Sequence, residues 1–265
     1  MAITKRWHFA IKTLFWAAAG LSLLGAEFVF AAGLPDTVQK IKPSIVAIGT
    51  LLKTRSPPVA FFATGFAVED GLTIVTNAHA IPPVLDGEKK EMLIVLTGQG
   101  SNYEQREARV VALDTGHDLA VLKISGEPLP ALVIGDSTQM RDGQSLAFTG
   151  YPLAMALGLY AATHRATLSA IVPITQPTPT SRQLSATTIN RVREGSFSIF
   201  QLDGTAYRGN SGSPLYDPET GDVVGIINMV FVKGTKENAL TNPSGISYAI
   251  PSKHIKQVLE RSGKN

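Results

Sequence analysis

Three short segments hold the residue types that nucleophilic and acid–base chemistry requires. Gly209-Asn210-Ser211-Gly212-Ser213-Pro214 sets a serine between two glycines in a tight turn. A serine hydroxyl is a weak nucleophile until a base takes its proton and backbone N–H groups receive the charge that forms on the attacked carbonyl. Glycines beside it let the chain turn so that neighbouring N–H groups converge. The same six residues also suit a plain surface turn, because Gly, Asn, Ser and Pro are all turn formers. Two upstream segments separate these readings. Thr76-Asn77-Ala78-His79-Ala80 follows Leu72-Thr73-Ile74-Val75, an apolar, β-branched run that predicts a buried strand. A histidine leaving such a strand is held rigidly, although a lone histidine is commonly only a core or surface imidazole. His117-Asp118-Leu119-Ala120-Val121-Leu122-Lys123-Ile124 places an acid at the entry of a second apolar strand. A carboxylate about to be buried needs a partner, because an unpaired buried charge is costly. An imidazole N–H is such a partner; strand capping is the simpler role for Asp118.

The chain order His79, Asp118, Ser211 discriminates among triad arrangements. An α/β-hydrolase elbow has G-x-S-x-G and the order Ser, acid, His; a subtilisin-type site runs Asp, His, Ser; a chymotrypsin-type site runs His, Asp, Ser. Ser213 stands where the elbow has its last glycine, and the one later histidine, His254, falls in a predicted terminal helix. Only the third order fits. Asp114, in the turn signal Leu113-Asp114-Thr115-Gly116, is a rival for the acid role and is ranked below Asp118.

These three blocks, taken as Thr76–His79, His117–Lys123 and Arg208–Pro214, resemble the catalytic blocks of bacterial trypsin-like serine proteases, and the HtrA (Deg) branch in particular. Val38–Ile48 resembles that branch's opening helix and first strand. Gly65-Phe66-Ala67-Val68 resembles its G-x-G-F/V strand, with Ala63-Thr64 in place of the first glycine. Ile134–Ser137, Gly150–Leu153, Gln201–Asp203 and Gly245–Pro251 resemble further segments, all in the family's order, over roughly residues 36–260.

The resemblance implies an all-β fold of two six-stranded antiparallel β-barrels, chymotrypsin-like, with a short C-terminal helix. His79 and Asp118 would come from the first barrel and Ser211 from the second, with the site at the joint. It implies peptide-bond hydrolysis through an acyl-enzyme: Ser211 attacks, His79 moves the proton, and Asp118 orients the imidazole. The N–H groups of Gly209 and Ser211 would form the oxyanion hole. Asn210 stands where pancreatic-type enzymes have an aspartate that pairs with a newly cut N-terminus, so zymogen activation of that kind is not expected. Thr205 stands where trypsin has its acidic pocket base, so a preference for Arg or Lys is not expected either. Ala206, Met229 and Phe231 would line an apolar pocket suited to small or medium aliphatic side chains. The branch usually carries a PDZ domain after the protease domain; the expectation here is a protease domain without one. Its enzymes are often trimeric, and monomer and trimer both stay open.

Composition bounds the alternatives. The chain has 265 residues, 44% of them apolar, with 24 glycines and 16 prolines, as many short strands joined by turns require. Cysteine is absent, which excludes disulfides, cysteine-held metals and a cysteine nucleophile. The histidines at 8, 79, 117, 164 and 254 form no H-E-x-x-H motif, so no metal and no cofactor are expected. Of the formal net charge of +3, +2 falls within residues 1–31, where Lys5, Arg6 and Lys12 face Glu27. The near-neutral remainder has no electrostatic footprint for nucleic acid. Polypeptide substrates are the expected partners.

Residues 1–31 read as a signal peptide, with basic residues before the apolar run Leu14–Ala26 and, in Val29-Phe30-Ala31, small residues at the two sites a signal peptidase checks. Cleavage after Ala31 would leave 32–265 as the protease domain in the periplasm or outside the cell. The competing reading is an uncleaved anchor, since about 20 apolar residues can span a bilayer, but Glu27 would be costly there. Strands are predicted at 44–52, 59–68, 72–76, 92–97, 107–113, 119–124, 145–149, 165–172, 197–202, 214–216, 223–232 and 245–250. An irregular loop is predicted at 173–196, and a helix capped by Ser252 with Ile255, Val258 and Leu259 on one face. Two alternative functions remain at this stage. One is a weakly active, chaperone-like or scaffold protein that keeps the protease fold. The other is an esterase, which the missing elbow glycine and the chain order disfavour.

Overall fold

The computed structural model describes residues 33–153, 158–173, 197–228 and 245–263. The expected leader, residues 1–31, lies outside them. The first six strands are β1 (Ile45–Leu51), β2 (Val59–Val68), β3 (Thr73–Asn77), β4 (Met92–Gln99), β5 (Asn102–Asp114) and β6 (Leu119–Ile124). They close into a barrel in the order β1-β2-β3-β6-β5-β4. The second six are β7 (Ser145–Gly150), β8 (Ala162–Pro173), β9 (Ser198–Asp203), β10 (Pro214–Tyr216), β11 (Val223–Ile227) and β12 (Ile246–Pro251). They close in the order β10-β11-β12-β9-β8-β7. All ladders within the barrels are antiparallel. Helix α1 (Leu34–Ile41) precedes the first barrel and α2 (Ser252–Ser262) follows the second. The expected all-β architecture of two six-stranded barrels with a C-terminal helix is what the chain forms.

The continuous apolar run of β1 follows from its two faces. Side chains alternate across a strand, so Val46 and Ile48 fill the first barrel, together with Ile74, Val95 and Leu122. Ile45 and Ala47 face the other way. They join a cluster drawn from both barrels and both helices, which includes Ile41, Leu119, Tyr216, Ile226, Ile250, Ile255 and Val258. A strand buried on both faces loses its polar alternation. Leu146, Phe148, Leu168, Phe200, Leu202 and Leu215 fill the second barrel. The shared cluster therefore holds the two barrels together, each of which has its own core, and each fully buried Ile or Leu contributes about 1.5–3 kcal/mol.

Departures from the predicted elements have physical causes. β5 begins at Asn102, not 107, because a hairpin from Gln99 to Asn102 carries the pairing through a solvent-facing polar stretch. Such a stretch has no apolar alternation to announce it. β8 begins at Ala162, three residues early. β11 ends at Ile227; Asn228, inside the predicted span, has left the strand, and 229–232 lie outside the described residues. So does 174–196, nearly all of the predicted loop. Ser252 is the first helical residue instead of the cap, and its hydroxyl donates to the Gly135 carbonyl at 3.0 Å. Ile255, Val258 and Leu259 are buried as expected.

Candidate active site

His79 leaves β3 in a single 3₁₀ turn, Ala78–Ala80. Its backbone N–H donates to Asp118 Oδ1 at 2.8 Å, and its Nδ1 lies 2.6 Å from Asp118 Oδ2. A carboxylate only accepts, so the Nδ1 proton points at it and Nε2 keeps its lone pair. Asp118 sits in the left-handed region, φ 54°, at the entry to β6. That conformation is unfavourable for a residue with a Cβ, although Asp tolerates it better than most. It is held there by two bonds to its carbonyl, from the Ala78 N–H and from Asn77 Nδ2, each 3.1 Å. Asp118 is 8% exposed. A third donor reaches its carboxylate from the second barrel: Asn228 Nδ2 lies 2.7 Å from Oδ2. Asn228 follows β11 directly and is fully buried.

The serine turn is built from both barrels. Within it, the Asn210 N–H donates to Tyr207 O at 2.9 Å and the Ser213 N–H to Asn210 O at 3.0 Å. The Gly212 N–H donates to Ile227 O at 2.9 Å, which ties the turn to β11. From the first barrel, the Thr64 N–H donates to Ser211 O at 2.8 Å, and Thr64 Oγ1 donates to Gly209 O at 2.7 Å. The same hydroxyl accepts the Tyr151 N–H at 3.0 Å. Gly209 and Gly212 have φ values of 98° and 86°. A Cβ at Gly209 would lie 2.2 Å from Tyr151 O, and one at Gly212 would lie 1.9 Å from Thr64 O. Conformation and space both demand glycine at these two positions.

The Arg208 carbonyl is bonded to the Leu153 N–H at 2.7 Å. Carbonyl and N–H of one planar trans peptide point opposite ways, so the Gly209 N–H faces away from Leu153. Neither it nor the Ser211 N–H has a hydrogen-bond partner among the described residues. Two free N–H groups flanking a serine are what an oxyanion hole needs. Ser211 itself is 6% exposed. No hydrogen bond joins its Oγ to His79; in ligand-free sites that bond is often long and closes only with substrate.

Asp114, the rival acid, is occupied elsewhere. Its carboxylate accepts from His117 N–H and Nδ1, both at 3.0 Å, and from Arg261. Burial pushes its pKa up, but these bonds outweigh that and hold the carboxyl well below its usual range. Asn210 is fully buried, and its side-chain amide has no partner among the described residues. Ala206 is buried in the second barrel's core with Phe200, Leu202 and Ala249, and Thr205 beside it is half-buried. Ser247 Oγ accepts the Ala206 N–H at 2.9 Å and donates to Gly204 O, which fastens β12 to this segment. Met229 and Phe231 lie outside the described residues.

The family model of the trypsin-like peptidase domain matches residues 63–226. The chain belongs to that family. This trypsin-like peptidase domain is 32% identical to human serine protease HTRA4 over 228 residues, which cover 84% of this chain and 40% of that protein. It is 31% identical to bovine mitochondrial serine protease HTRA2, over 96% of this chain and 51% of the relative. The domain thus spans about half or less of the length of these curated relatives. Among solved structures it resembles the HtrA-type protease AlgW with a tripeptide, at a TM-score of 0.61 and 23% identity, covering 86% of this chain and 63% of that one. It also resembles the inactive form of Rv3671c protease, at 0.60 and 20%, covering 86% and 92%. These two likenesses concern the fold.

Two site residues escaped the sequence reading. Asn228 is a single amide inside the apolar run 223–232, which reads as one continuous strand, and nothing local marks its partner. Thr64 was noted only as a departure from the family's glycine; a hydroxyl amid the apolar Phe61–Val68 stretch was the available signal.

Proposed function

We propose that this trypsin-like peptidase domain is a serine endopeptidase acting through His79, Asp118 and Ser211. The observation that carries the reading is the Asp118 carboxylate, gripped by His79 from one barrel and Asn228 from the other. That grip fixes the tautomer in which Nε2 can accept a proton. Ser211 Oγ attacks the peptide carbonyl as its proton passes to His79 Nε2. The oxyanion forms against the Gly209 and Ser211 N–H groups. His79 then gives the proton to the leaving amine, and water repeats the sequence on the acyl-enzyme. The relatives' names as serine proteases support the same chemistry.

Substrates are polypeptides, with a preference for small or medium aliphatic side chains. The setting is the cell envelope or exterior, reached through the residue 1–31 leader, and the role is protein degradation or processing. The fully buried, uncharged Asn210 supports a turn that is set without N-terminal cleavage. Casein digestion and fluorophosphonate labelling test the proposal. Wild type digests casein and is labelled at Ser211, and Ser211→Ala does neither. Equal inertness of both proteins with no labelling refutes it; labelling with casein left intact refutes broad specificity and keeps the triad.

A further inference from the structure

The loop that carries Asp118 has a second set of contacts, which the hydrolytic chemistry does not use. The His117 ring stacks on His254 of α2, with centroids 4.1 Å apart and planes 23° apart. Phe197, just ahead of β9, closes against both rings at 4.6 and 5.1 Å. His117 Nδ1 donates to Asp114 Oδ2, which also takes Arg261 from α2. The helix therefore grips this loop twice, once through a ring stack and once through a carboxylate. His254 is 6% exposed. Its Nδ1 lies 3.2 Å from Gln257 Oε1, an acceptor, so Nδ1 carries the proton. Its Nε2 is buried without a hydrogen-bond partner. A buried orphan acceptor lowers stability and calls for an explanation.

We infer that the His117–His254 stack is a positioning element for the catalytic acid: it clamps α2 onto the loop and so holds Asp118 in place against His79. The inference rests on the assignment of Asp118 as the acid. Asp118 keeps a left-handed backbone, which persists only where the surroundings over-determine it. Asn77 and Ala78 fix its carbonyl on one flank. His117, the preceding residue, is fixed by its ring and by Asp114 on the other. Release of that flank frees Asp118 to relax.

The clamp is sensitive to acid. The Asp114 carboxylate faces His117, whereas His254 has no carboxylate of its own among the described residues. A proton on His254 Nε2 sets a positive charge against the His117 ring across a 4.1 Å stack. The His254 pKa is lowered to about 4, chiefly by burial and then by His117 and Lys253, with Gln257 and Asp114 opposing them. These, with Arg261 on Asp114, are the charged and polar groups that act on the pair among the described residues. Phe197 packs its ring against both.

The test uses the Ser211→Ala protein, so that hydrolysis does not enter. NMR follows the low-field proton of the His79–Asp118 hydrogen bond and the His254 ring from neutral pH into acid. The low-field proton is expected to vanish in step with the titration of His254 and to return on neutralisation. With His254→Phe added, which keeps a stacked ring that cannot be charged, it should persist over the same range. With Ser211 intact, His254→Ala should lower kcat about tenfold at unchanged KM, and His254→Phe should restore it. If His254→Ala fails to fold, His117→Gln is read in its place. Persistence of the proton through the His254 titration overturns the inference, as do equal kcat values for the Ala and Phe variants. A Ser211 that takes no fluorophosphonate overturns the proposed function instead and leaves the NMR result standing.

Discussion

Asp118 is held by more of the molecule than either of its proposed catalytic partners. Its carboxylate receives the His79 N–H, the His79 ring and the Asn228 amide, and its carbonyl receives Ala78 and Asn77. Asp118→Asn would present an NH₂ to the imidazole and favour the wrong tautomer. Its kcat should fall about 10⁴-fold with little change in thermal midpoint, as read by peptide hydrolysis beside calorimetry. Asn228→Ala removes one charge-assisted bond and should slow turnover about 10- to 100-fold. Asn228→Asp should be worse, since two carboxylates 2.7 Å apart cannot both ionise. A fluorophosphonate labelling rate for each variant ranks them. His79 and Asp118 could be read from sequence because each sits at the edge of an apolar strand, where a charged or titratable side chain is conspicuous. Asn228 could not, because its partner is brought to it only when the barrels meet.

Strands were legible wherever one or both faces are apolar, as in β1, β6 and β7. The start of β5 was not, because Asn102–Glu104 are exposed and the ladder with β4 alone makes them a strand. The same limit hid the role of β2. Its Thr64 reaches out of one barrel to set the serine turn of the other through both its N–H and its hydroxyl. Thr64→Val would orphan the Gly209 carbonyl and the Tyr151 N–H, at a cost of about 1–3 kcal/mol for each group. Thr64→Ser should keep most of that stability. Urea denaturation of the two variants reads the difference. Gly209→Ala meets both a positive φ and the Tyr151 carbonyl. It should lose fluorophosphonate labelling even where the barrels stay folded by circular dichroism.

The whole molecule should weaken in acid for a reason separate from catalysis. The unfolded chain protonates His254 near the ordinary histidine value of 6.5, but the folded chain does so only at about 4, chiefly through burial. Between these values the unfolded state binds the extra proton. Stability is therefore full above about pH 6.5 and is lost as pH falls toward 4, by up to about 1.4 kcal/mol per pH unit. Asp114, with its depressed pKa, adds a loss at still lower pH. Urea midpoints from pH 4 to 8 should show this slope, and His254→Phe should flatten it. This device was invisible in sequence: His117 and His254 lie in different blocks, and His254 was read only as part of a terminal helix.

The Thr64 hydroxyl of the first barrel, shared between Gly209 and Tyr151 of the second, has a consequence for inhibition. A ligand need not enter the cleft to silence the serine. A wedge at the seam that parts β2 from the 207–213 turn by a fraction of an ångström would break the Thr64 bonds to the Gly209 and Ser211 carbonyls. The proposed oxyanion hole would be disturbed while His79 and Asp118 stay in place.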